Sequence, residues 1–387
     1  MKITHLCLGC FFPDGFSYQE NMLPKFHKQQ GHEVTVIASL QTFDKNGKTA
    51  FMPKASAYRN EYDIPVIRLD YKKPLKLYRK MKRFEGTREA LEKASPDVLF
   101  IHGCQFLDID KVIGYIKKHP GVTVYVDNHA DFSNSAKSFT SKELLHGVVW
   151  KRCAHRIDPY VKKWYGVLPA RVDFLRDIYK LPENKIELLV MGADDDKVKE
   201  ALNPDVRREI RQKYGIGDGD FLIMTGGKID RAKQQTVLLM NAVNRIDDPR
   251  VKLLVFGSVV PELKDRVEAC LSDKVQYIGW ITSDETYAYF AAADLAVFPG
   301  RHSVLWEQVA GIGVPMICKY WDGTTHVDVG GNTLFLYKDS EEEIYDVLLR
   351  ILGDEKIYAE MKKAAELNGI KTFSYDSIAK RSVEDQA

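Results

Sequence analysis

Two lysines follow a glycine turn in the second half of the chain. Gly226 and Gly227 come directly after the apolar run at residues 221–225, and Lys228 and Lys233 lie five residues apart just beyond them. Glycine at the end of a strand lets a ligand approach the backbone closely, because no Cβ stands in the way. Two ammonium groups beside such a turn can bind the phosphates of a diphosphate. The same residues also fit a solvated loop with ordinary surface lysines, so the spacing leaves both interpretations open.

A second segment combines a turn, a helix start and an acidic side chain. Pro299 and Gly300 end an apolar run, and Ser303 is of the type that caps a helix, here one predicted to begin at Val304. A helix N-terminus carries free N–H groups and about half a positive charge, which makes it an anion site. Glu307 stands one turn into this helix, where it can accept hydrogen bonds from ribose hydroxyls. Its alternative role is that of a capping-box or surface glutamate.

Histidine and aspartate side chains follow two apolar runs in the first half. Asp127, His129 and Asp131 come after one run, and His102 is the last residue of another. Ligands bind at the carboxyl ends of the strands in open α/β sheets, so Asp127, Asp131 and His102 are candidates for an acceptor site. The two aspartates can hold the tautomer of His129 or bind acceptor hydroxyls. The alternatives are a loop histidine that only satisfies backbone groups, and a metal site, although this spacing alternates faces in an extended chain.

Short apolar runs alternate with longer helical stretches along the whole chain, as is typical of parallel sheets covered on both faces. Strands are predicted at residues 3–8, 34–38, 66–69, 98–102 and 122–126 in the first half, and at 221–225, 252–256, 276–278, 295–298 and 315–318 in the second. Helices are predicted at residues 19–30, 234–245, 261–270, 283–292, 304–311, 341–352 and 357–368. The prediction is an α/β protein of two Rossmann-like domains that face each other across a central cleft.

The predicted domain boundary lies in the run Met191-Gly192-Ala193-Asp194-Asp195-Asp196, which has a glycine, three consecutive aspartates and no apolar period. A chain of 387 residues is too long for one compact core, so two domains are expected. We assign residues 1–195 to an acceptor-side domain and residues 196–370 to a donor-binding domain. The tail at residues 371–387 is expected to return to the first domain.

Composition disfavours several other classes of protein. The formal net charge of +2 is too small for a dedicated nucleic-acid binder. No apolar run approaches the ~20 residues that span a bilayer, and Pro13 helps to break an N-terminal run that could be mistaken for a signal peptide. Six widely spaced cysteines form no disulfide framework, and Cys7 and Cys10 are expected to be buried thiols of a cytoplasmic protein. No G-x-G-x-x-G follows the first strand, which disfavours a dehydrogenase.

The segment from Lys72 to Arg83, called the basic segment below, holds seven basic residues in twelve and no acidic one. Leu77, Met81 and Phe84 are predicted to share one face of a helix. Such a segment can bind an anionic membrane surface with about 1 kcal/mol per basic residue, which predicts peripheral association at the inner face of a membrane. The alternative is a solvated helix whose apolar stripe packs on the sheet.

Taken in order, these motifs resemble those of retaining GT-B glycosyltransferases of the family 4 type (glycosyltransferase group 1), and the resemblance covers nearly the whole chain. The segments that carry it are Pro13-Asp14-Gly15-Phe16, Gly31-His32-Glu33-Val34, Met191-Gly192-Ala193-Asp194, Lys228 with Lys233, Val275-Gln276-Tyr277-Ile278-Gly279-Trp280, and the stretch that ends at Pro315. The stretch at residues 299–308 is similar to a capsule- and exopolysaccharide-associated branch of that family.

The resemblance implies roles for single residues. Lys228 and Lys233 would bind the donor diphosphate, and His129 would meet the donor sugar; these three are the predicted catalytic residues. The predicted donor-binding residues are Gly15, Gly227, Ile278, Gly279, His302, Ser303, Val304 and Glu307. The implied reaction moves a sugar with retention from a nucleotide diphosphate donor, a UDP-sugar, to a saccharide or lipid-linked acceptor. It implies no metal, no other cofactor and no nucleic-acid partner.

One departure from the family pattern concerns a pair of glutamates separated by seven residues. Glu307 or Gln308 stands at the second position, but Pro299 or Gly300 stands at the first, and neither is acidic. We expect His302 or Arg301 to replace that contact with the donor sugar. Two other functions stay open: an epimerase-like enzyme of the same fold, and a protein that binds a nucleotide sugar without turnover.

Overall fold

A computed structural model describes residues 1–43, 49–131 and 140–384 of the chain. The chain divides into two compact units. Unit 1 comprises Met1–Met191 together with Ile378–Ala387, and unit 2 comprises Gly192–Ser377. The division therefore lies four residues before the expected boundary, and the chain re-enters unit 1 at Ile378.

Unit 1 is built on an eight-stranded sheet, in the order β10-β9-β8-β7-β1-β2-β6-β5. Every neighbouring pair is parallel except β5 with β6. With the small antiparallel pair β3 and β4, its strands are β1 (Lys2–Cys7), β2 (Glu33–Ser39), β3 (Gln41–Phe43), β4 (Thr49–Phe51), β5 (Ser56–Arg59), β6 (Pro65–Leu69), β7 (Val98–His102), β8 (Thr123–Asn128), β9 (Val161–Gly166) and β10 (Ile186–Leu188). All five predicted strands are present, whereas β3, β4, β5, β9 and β10 were not predicted.

The helices of unit 1 lie between these strands. They are α1 (Gln19–Gln29), α2 (Leu75–Met81), α3 (Thr87–Ala94), α4 (Ile109–Lys118), α5 (Lys151–Ile157) and α6 (Pro169–Asp177), with a π-helix at Thr140–Trp150 and 3₁₀ turns at Asp158–Tyr160 and Glu183–Lys185. The central strand β7 is buried at all five residues, because helices cover both faces of the sheet.

Unit 2 contains a six-stranded, fully parallel sheet in the order β13-β12-β11-β14-β15-β16. Its strands are β11 (Phe221–Gly226), β12 (Val251–Phe256), β13 (Val275–Tyr277), β14 (Leu295–Phe298), β15 (Met316–Lys319) and β16 (Thr333–Leu336). The first five match the predicted strands, and β16 was not predicted. The prediction of an α/β protein with two Rossmann-like domains is confirmed.

Helices flank this second sheet. They are α7 (Asp195–Ala201), α8 (Pro204–Lys213), α9 (Gln235–Arg245), α10 (Lys264–Glu268), α11 (Glu285–Ala292), α12 (Leu305–Ile312), α13 (Glu341–Gly353), α14 (Glu355–Ala364) and α15 (Ile370–Thr372), with 3₁₀ turns at Pro261–Leu263 and Thr325–Val327 and a π-helix at Ala365–Gly369. The last helix, α16 (Tyr375–Val383), begins in unit 2 and ends in unit 1. No helix among the described residues is long and apolar enough to cross a membrane.

The prediction for the basic segment is wrong in one respect, since its helix is too short to carry the expected stripe. Helix α2 stops at Met81, and Lys82 adopts a left-handed conformation with φ of 52°. Phe84 therefore leaves the helix and is buried beside Tyr71, whereas Leu77 is 52% exposed. The leucines of α2 face solvent together with Arg79 and Lys80 instead of packing on the sheet.

Candidate functional site

The glycine turn of unit 2 depends on two strand ends that approach closely. A Cβ on Gly226 would lie 2.1 Å from the ring of Phe256, and a Cβ on Gly257 would lie 1.8 Å from the carbonyl oxygen of Gly227. Gly227 donates its N–H to the Phe256 carbonyl over 3.2 Å and has a φ of +111°. Larger residues cannot occupy this turn, so the backbone of Gly227 is held at the carboxyl edge of the sheet.

Lys233 lies directly beside this turn. The aliphatic part of the Lys233 side chain packs on Gly300: a Cβ at position 300 would lie 3.3 Å from it. The Lys233 Nζ is close to Gly227, since a Cβ at position 227 would lie 3.6 Å from that nitrogen. Burial lowers the pKa of Lys233, and among the described residues no carboxylate lies within ion-pair distance of its Nζ. Lys228, by contrast, has a side chain that is 65% exposed and lies 3.7 Å from Asp230. The structure thus brings Gly227, Lys233 and Gly300 together and leaves Lys228 at the surface.

Helix α12 begins one residue later than predicted, at Leu305. Val304 occupies the N-cap position, and no side chain caps the helix. The expectation that Ser303 caps this helix is therefore wrong: its carbonyl accepts the N–H of Trp306, which leaves the hydroxyl outside the cap. The side chain of Leu305 would lie 3.6 Å from a Cβ on Gly227, which places the start of α12 beside the glycine turn.

Glu307 is fully buried and is held by two histidines. Its Oε1 lies 2.8 Å from Nε2 of His302 and 2.9 Å from Nε2 of His326. Burial opposes ionisation, but the two imidazoles outweigh it and hold the pKa of Glu307 below its usual range. We call these three side chains the histidine–glutamate cluster. It also has the donor types of a metal site, since two imidazole nitrogens and a carboxylate oxygen lie within 4.8 Å of one another.

Several buried polar atoms around α12 have no hydrogen-bond partner among the described residues. They are Ser303 Oγ, Trp306 Nε1, Glu307 Oε2, Gln308 Oε1 and His326 Nδ1. Buried polar groups are rarely left unpaired in native proteins, because each costs about 1–3 kcal/mol. Since the helix that carries most of these atoms begins beside the glycine turn, we expect a polar ligand to complete the site.

The turn after β13 is the predicted nucleobase contact. Ile278 donates its N–H to the Val255 carbonyl over 2.9 Å, and Gly279, with φ of +78°, accepts the N–H of Gly257. Because these groups are already paired, the Ile278 carbonyl is the backbone group that we expect to contact a base. Glu285, at the start of α11, forms a capping box with Thr282.

In unit 1, the loop that contains Gly15 is held by a buried arginine. Arg68 donates to Asp14 over 3.2 Å and to the hydroxyl of Tyr58, which itself donates to Asp14. Gly15 has φ of +75° and donates its N–H to Glu61. The loop is therefore fixed from one side, and a Cβ on Gly15 would meet no atom within 4 Å.

The predicted acidic and histidine residues of unit 1 gather around Asp127. Asp127 is fully buried, and its Oδ2 lies 2.7 Å from His102 Nδ1 and 3.2 Å from His129 Nε2. Glu20 approaches His129 to 3.7 Å. Burial would lower the pKa of His129, but the charges of Glu20 and Asp127 raise it. Asp127 Oδ2 is therefore close enough to pair with the ring of His129, and its role in holding the tautomer of that ring stays a prediction.

The other two residues predicted for the acceptor site, Asp131 and His102, bind other side chains of the protein. Asp131 pairs with Nε of Arg171 over 3.1 Å. His102 has no exposed surface and continues inward to His5 and His27. Sequence reasoning missed His5, His27, Glu20 and His326. A histidine inside an apolar strand, as at His5 in β1, was the one available signal.

Comparisons with known proteins bear on the family and the fold of the chain. The sequence model of the family described as "Glycosyl transferases group 1" matches residues 206–368, which lie within unit 2. The mannosylfructose-phosphate synthase of Agrobacterium fabrum is 22% identical over 229 residues, 55% of this chain and 50% of that protein. The chain therefore spans about half the length of this curated relative.

Two solved structures share the fold over almost the full chain. Anabaena Alr3699/HepE in complex with UDP has a TM-score of 0.66 at 16% identity and covers 98% of both chains. The UDP-GlcNAc 2-epimerase of Neisseria meningitidis bound to UDP-GlcNAc has a TM-score of 0.64 at 12% identity, covering 99% of this chain and 98% of the other. At these identities the likeness concerns the fold.

Proposed function

We propose that this protein is a glycosyltransferase that uses a nucleotide diphosphate sugar, because residues 206–368 match the model of the Glycosyl transferases group 1 family and the chain has a GT-B fold. The observation that carries the proposal is the set of unpaired buried polar atoms around α12, the helix that begins beside the glycine turn where the Lys233 ammonium also lies. A sugar pyrophosphate supplies both the hydroxyls and the negative charge that this site lacks.

The chemistry follows from the charges that develop when the bond to the donor phosphate breaks. Negative charge builds on the departing diphosphate, and fixed positive groups that face it lower the barrier. Lys233 is half-buried beside the backbone of Gly227, so its charge is poorly screened and its position is constrained. The exposed Lys228 adds a second, more strongly screened charge.

The finer features of the reaction are also proposals. We propose UDP as the nucleotide, in keeping with the UDP that Anabaena Alr3699/HepE binds, and a saccharide or lipid-linked acceptor. Retention of configuration and independence of metal ions follow from the family resemblance. His302 is proposed to contact the donor sugar in place of the missing acidic residue, because Glu307 fixes its Nε2 and so orients its ring.

An epimerase of the same fold is the second candidate, since a UDP-GlcNAc 2-epimerase shares the architecture. The two functions differ in their products. A transferase converts a UDP-sugar to UDP only when an acceptor is present, apart from slow hydrolysis. An epimerase interconverts two UDP-sugars without an acceptor and releases no free UDP in a single inversion.

The donor site can be tested by thermal shift with UDP, GDP, ADP and their sugars, each with and without EDTA. A ligand that binds only the folded protein raises its melting temperature. We expect one nucleotide, UDP, to give a clear shift that EDTA does not change. A shift that disappears with EDTA would instead indicate a bound metal, for which the histidine–glutamate cluster and the group of His102, Asp127 and His129 both have suitable donor atoms. No shift with any nucleotide at millimolar concentration would contradict the proposal.

Lys233→Ala is the sharpest single test of the diphosphate site. We expect at least about tenfold weaker donor binding or turnover, because a fixed positive charge at the leaving group is lost. Lys228→Ala should have a smaller effect, since its ammonium is exposed. Lys338→Ala, which removes an exposed lysine elsewhere in unit 2, is the matched control. An unchanged donor response in Lys233→Ala, with the fold intact, would remove Lys233 from the mechanism.

The basic segment is proposed to bring the protein to an anionic membrane surface. Leu75 and Leu77 are 40% and 52% exposed on α2, among exposed basic residues that include Lys73, Arg79 and Lys80. Apolar side chains surrounded by cations match the boundary between lipid headgroups and acyl chains. A lipid-linked acceptor would then be met at the surface in which it is anchored.

A further inference from the structure

A continuous chain of hydrogen bonds runs from Asp127 into the interior of unit 1. Asp127 Oδ2 lies 2.7 Å from His102 Nδ1, and His102 Nε2 lies 2.9 Å from His5 Nδ1. His5 Nε2 then lies 3.0 Å from His27 Nδ1. All four side chains are fully buried. We call His102, His5 and His27 the histidine chain.

The far end of the histidine chain fixes the direction of every bond in it. His27 Nε2 lies 2.9 Å from the Ala379 carbonyl oxygen and 3.0 Å from Ser382 Oγ, both on α16. The Ser382 hydroxyl itself donates to the Ala379 carbonyl, so both oxygens are acceptors for His27. His27 Nε2 must therefore carry a hydrogen.

The protonation of the other rings follows step by step. If His27 is neutral, its Nδ1 accepts from His5 Nε2–H, and a neutral His5 accepts at Nδ1 from His102 Nε2–H. His102 Nδ1 faces a carboxylate and must donate as well. His102 then carries two hydrogens, so the histidine chain contains one imidazolium, next to Asp127.

The energetics of burial place the charge at the same ring. Burial lowers the pKa of His27 to about 3, and burial with the neighbouring histidines holds the pKa of His5 well below its usual range. Burial would also lower the pKa of His102, but the Asp127 carboxylate outweighs it and raises that pKa to about 9. The cation is stable only beside its counter-ion.

We propose that His102, His5 and His27 are positioning residues for His129: they keep Asp127 ionised, with its Oδ2 shared between His102 and His129 Nε2. His129 thereby retains its proton on Nε2 and its ring orientation. The kinetic part of this inference rests on the proposed glycosyltransferase function, in which His129 contacts the donor sugar. The protonation states do not depend on that function.

Other charged groups also face this network. Glu20 and Arg171 act on His129 from α1 and α6, and Cys7 lies beside His102 at the end of β1. His32 acts on His27 from the opposite end. Glu20 favours a cation at both His129 and His102, so it supports the same charge distribution as Asp127.

The test compares His27→Phe with His27→Gln in the full-length protein. Phenylalanine removes the acceptor of His5, so His5 can reverse its tautomer and His102 no longer needs a second hydrogen. The amide of glutamine can accept from His5 and donate to Ala379, and should restore the chain. Ser382→Ala keeps the Ala379 carbonyl and is the matched control, expected to behave as wild type.

Long-range ¹H–¹⁵N spectra report the protonation of each imidazole nitrogen, with signals assigned from His102→Gln and His129→Gln. At pH 7.5, about 1.5 units below the expected pKa, His102 should be doubly protonated in wild type and His27→Gln. In His27→Phe, a pH titration should show His102 losing its second hydrogen at lower pH than in wild type, because a reversed His5 no longer requires that hydrogen. His129 Nε2 should carry a hydrogen in the first two proteins and lose this fixed state in the third. A singly protonated His102 in wild type, or spectra that His27→Phe leaves unchanged, would overturn the inference.

Steady-state kinetics distinguish a positioning role of the histidine chain from a role in folding stability alone. We expect His27→Phe to lower kcat about tenfold while the KM for the donor stays within about twofold, and to move the alkaline limb of the kcat profile to lower pH. His27→Gln should recover most of kcat. Unchanged kcat in a His27→Phe protein whose His102 has lost its proton would refute the positioning role. Absence of turnover in wild type would refute the proposed function alone, since the spectra still decide the protonation of the chain.

Discussion

At the scale of single residues, the histidine–glutamate cluster shows how a buried carboxylate can be kept charged. Glu307 is surrounded by protein on every side, and two imidazoles share its Oε1. Leaving either imidazole without this acceptor would strand a buried N–H group. The cluster therefore couples the stability of α12 to the ionisation of one side chain, and this coupling has a measurable pH dependence.

We expect Glu307→Gln to lower the free energy of unfolding at pH 7 by about 1.5–3 kcal/mol, the usual worth of hydrogen bonds to a charged group. The pKa of Glu307 lies below its unfolded value of 4.5 in the folded protein. Its stabilising contribution is therefore complete above pH 4.5 and is lost as the pH falls below that value. Denaturant melts at pH 7 and pH 4 should show the difference between wild type and variant shrinking in acid.

The control for this prediction is Glu209→Gln, which changes an exposed glutamate of α8 in the same unit. Its effect should be within about 0.5 kcal/mol at both pH values. A Glu307→Gln protein that is as stable as wild type at pH 7 would mean that the carboxylate is not ionised in the folded state.

At the scale of elements, the carboxyl edge of the sheet in unit 2 is shaped by close backbone approach. The ends of β11 and β12 are so near that Gly257 leaves no room for a side chain. This contact fixes Gly227, and Gly227 in turn lies beside Lys233 and Leu305. The position of the ammonium group thus depends on the close backbone packing at Gly257.

Gly257→Ala is expected to destabilise the protein by about 3 kcal/mol and to weaken nucleotide binding. Its new Cβ would stand 1.8 Å from the Gly227 carbonyl, and its φ of +120° strains any residue with a side chain. Gly353→Ala at the end of α13 meets no atom within 4 Å and should be neutral or up to about 1 kcal/mol more stable. Thermal melts with and without UDP measure both effects; equal behaviour of the two variants would contradict the argument.

At the scale of the whole molecule, the basic segment bears on where the protein acts. The formal net charge is only +2, so attraction to an anionic surface must come from a local concentration of cations. Helix α2 supplies it together with two exposed leucines. This combination predicts both an electrostatic and an apolar contribution to binding.

Sedimentation with lipid vesicles tests whether the basic segment binds an anionic membrane surface. Binding should increase with the fraction of anionic lipid and fall as salt rises, because surface charges are screened within about 10 Å at 0.1 M salt. The double variant Leu75→Ser, Leu77→Ser should bind less at equal charge, while Leu367→Ser, which changes an exposed leucine of unit 2, should bind as wild type. Equal sedimentation with neutral and anionic vesicles would exclude the proposed surface.

The sequence by itself determined the two parallel sheets. Their central strands are continuous apolar runs, such as β7 and β14, and hydrophobic periodicity is a local property that can be read without the fold. Strand β9 was missed because it contains two consecutive lysines, which interrupt the apolar pattern. Strand β16 was also missed, although its sequence TLFL is a short apolar run like that of β14. The sequence also predicted that the glycine turn and Lys233 belong to one site, because they lie within a few residues of each other along the chain.

Only the tertiary structure decided which side chains meet. His5 and His102 are 97 residues apart, and His27 and Ala379 are 352 apart, yet each pair is hydrogen bonded. No local pattern can pair such residues, since the sheet order and the return of α16 bring them together. The same reason hid His326 from the sequence. Ser303 is a good helix cap by type but does not act as one, because α12 begins at Leu305 and Val304 occupies the N-cap position.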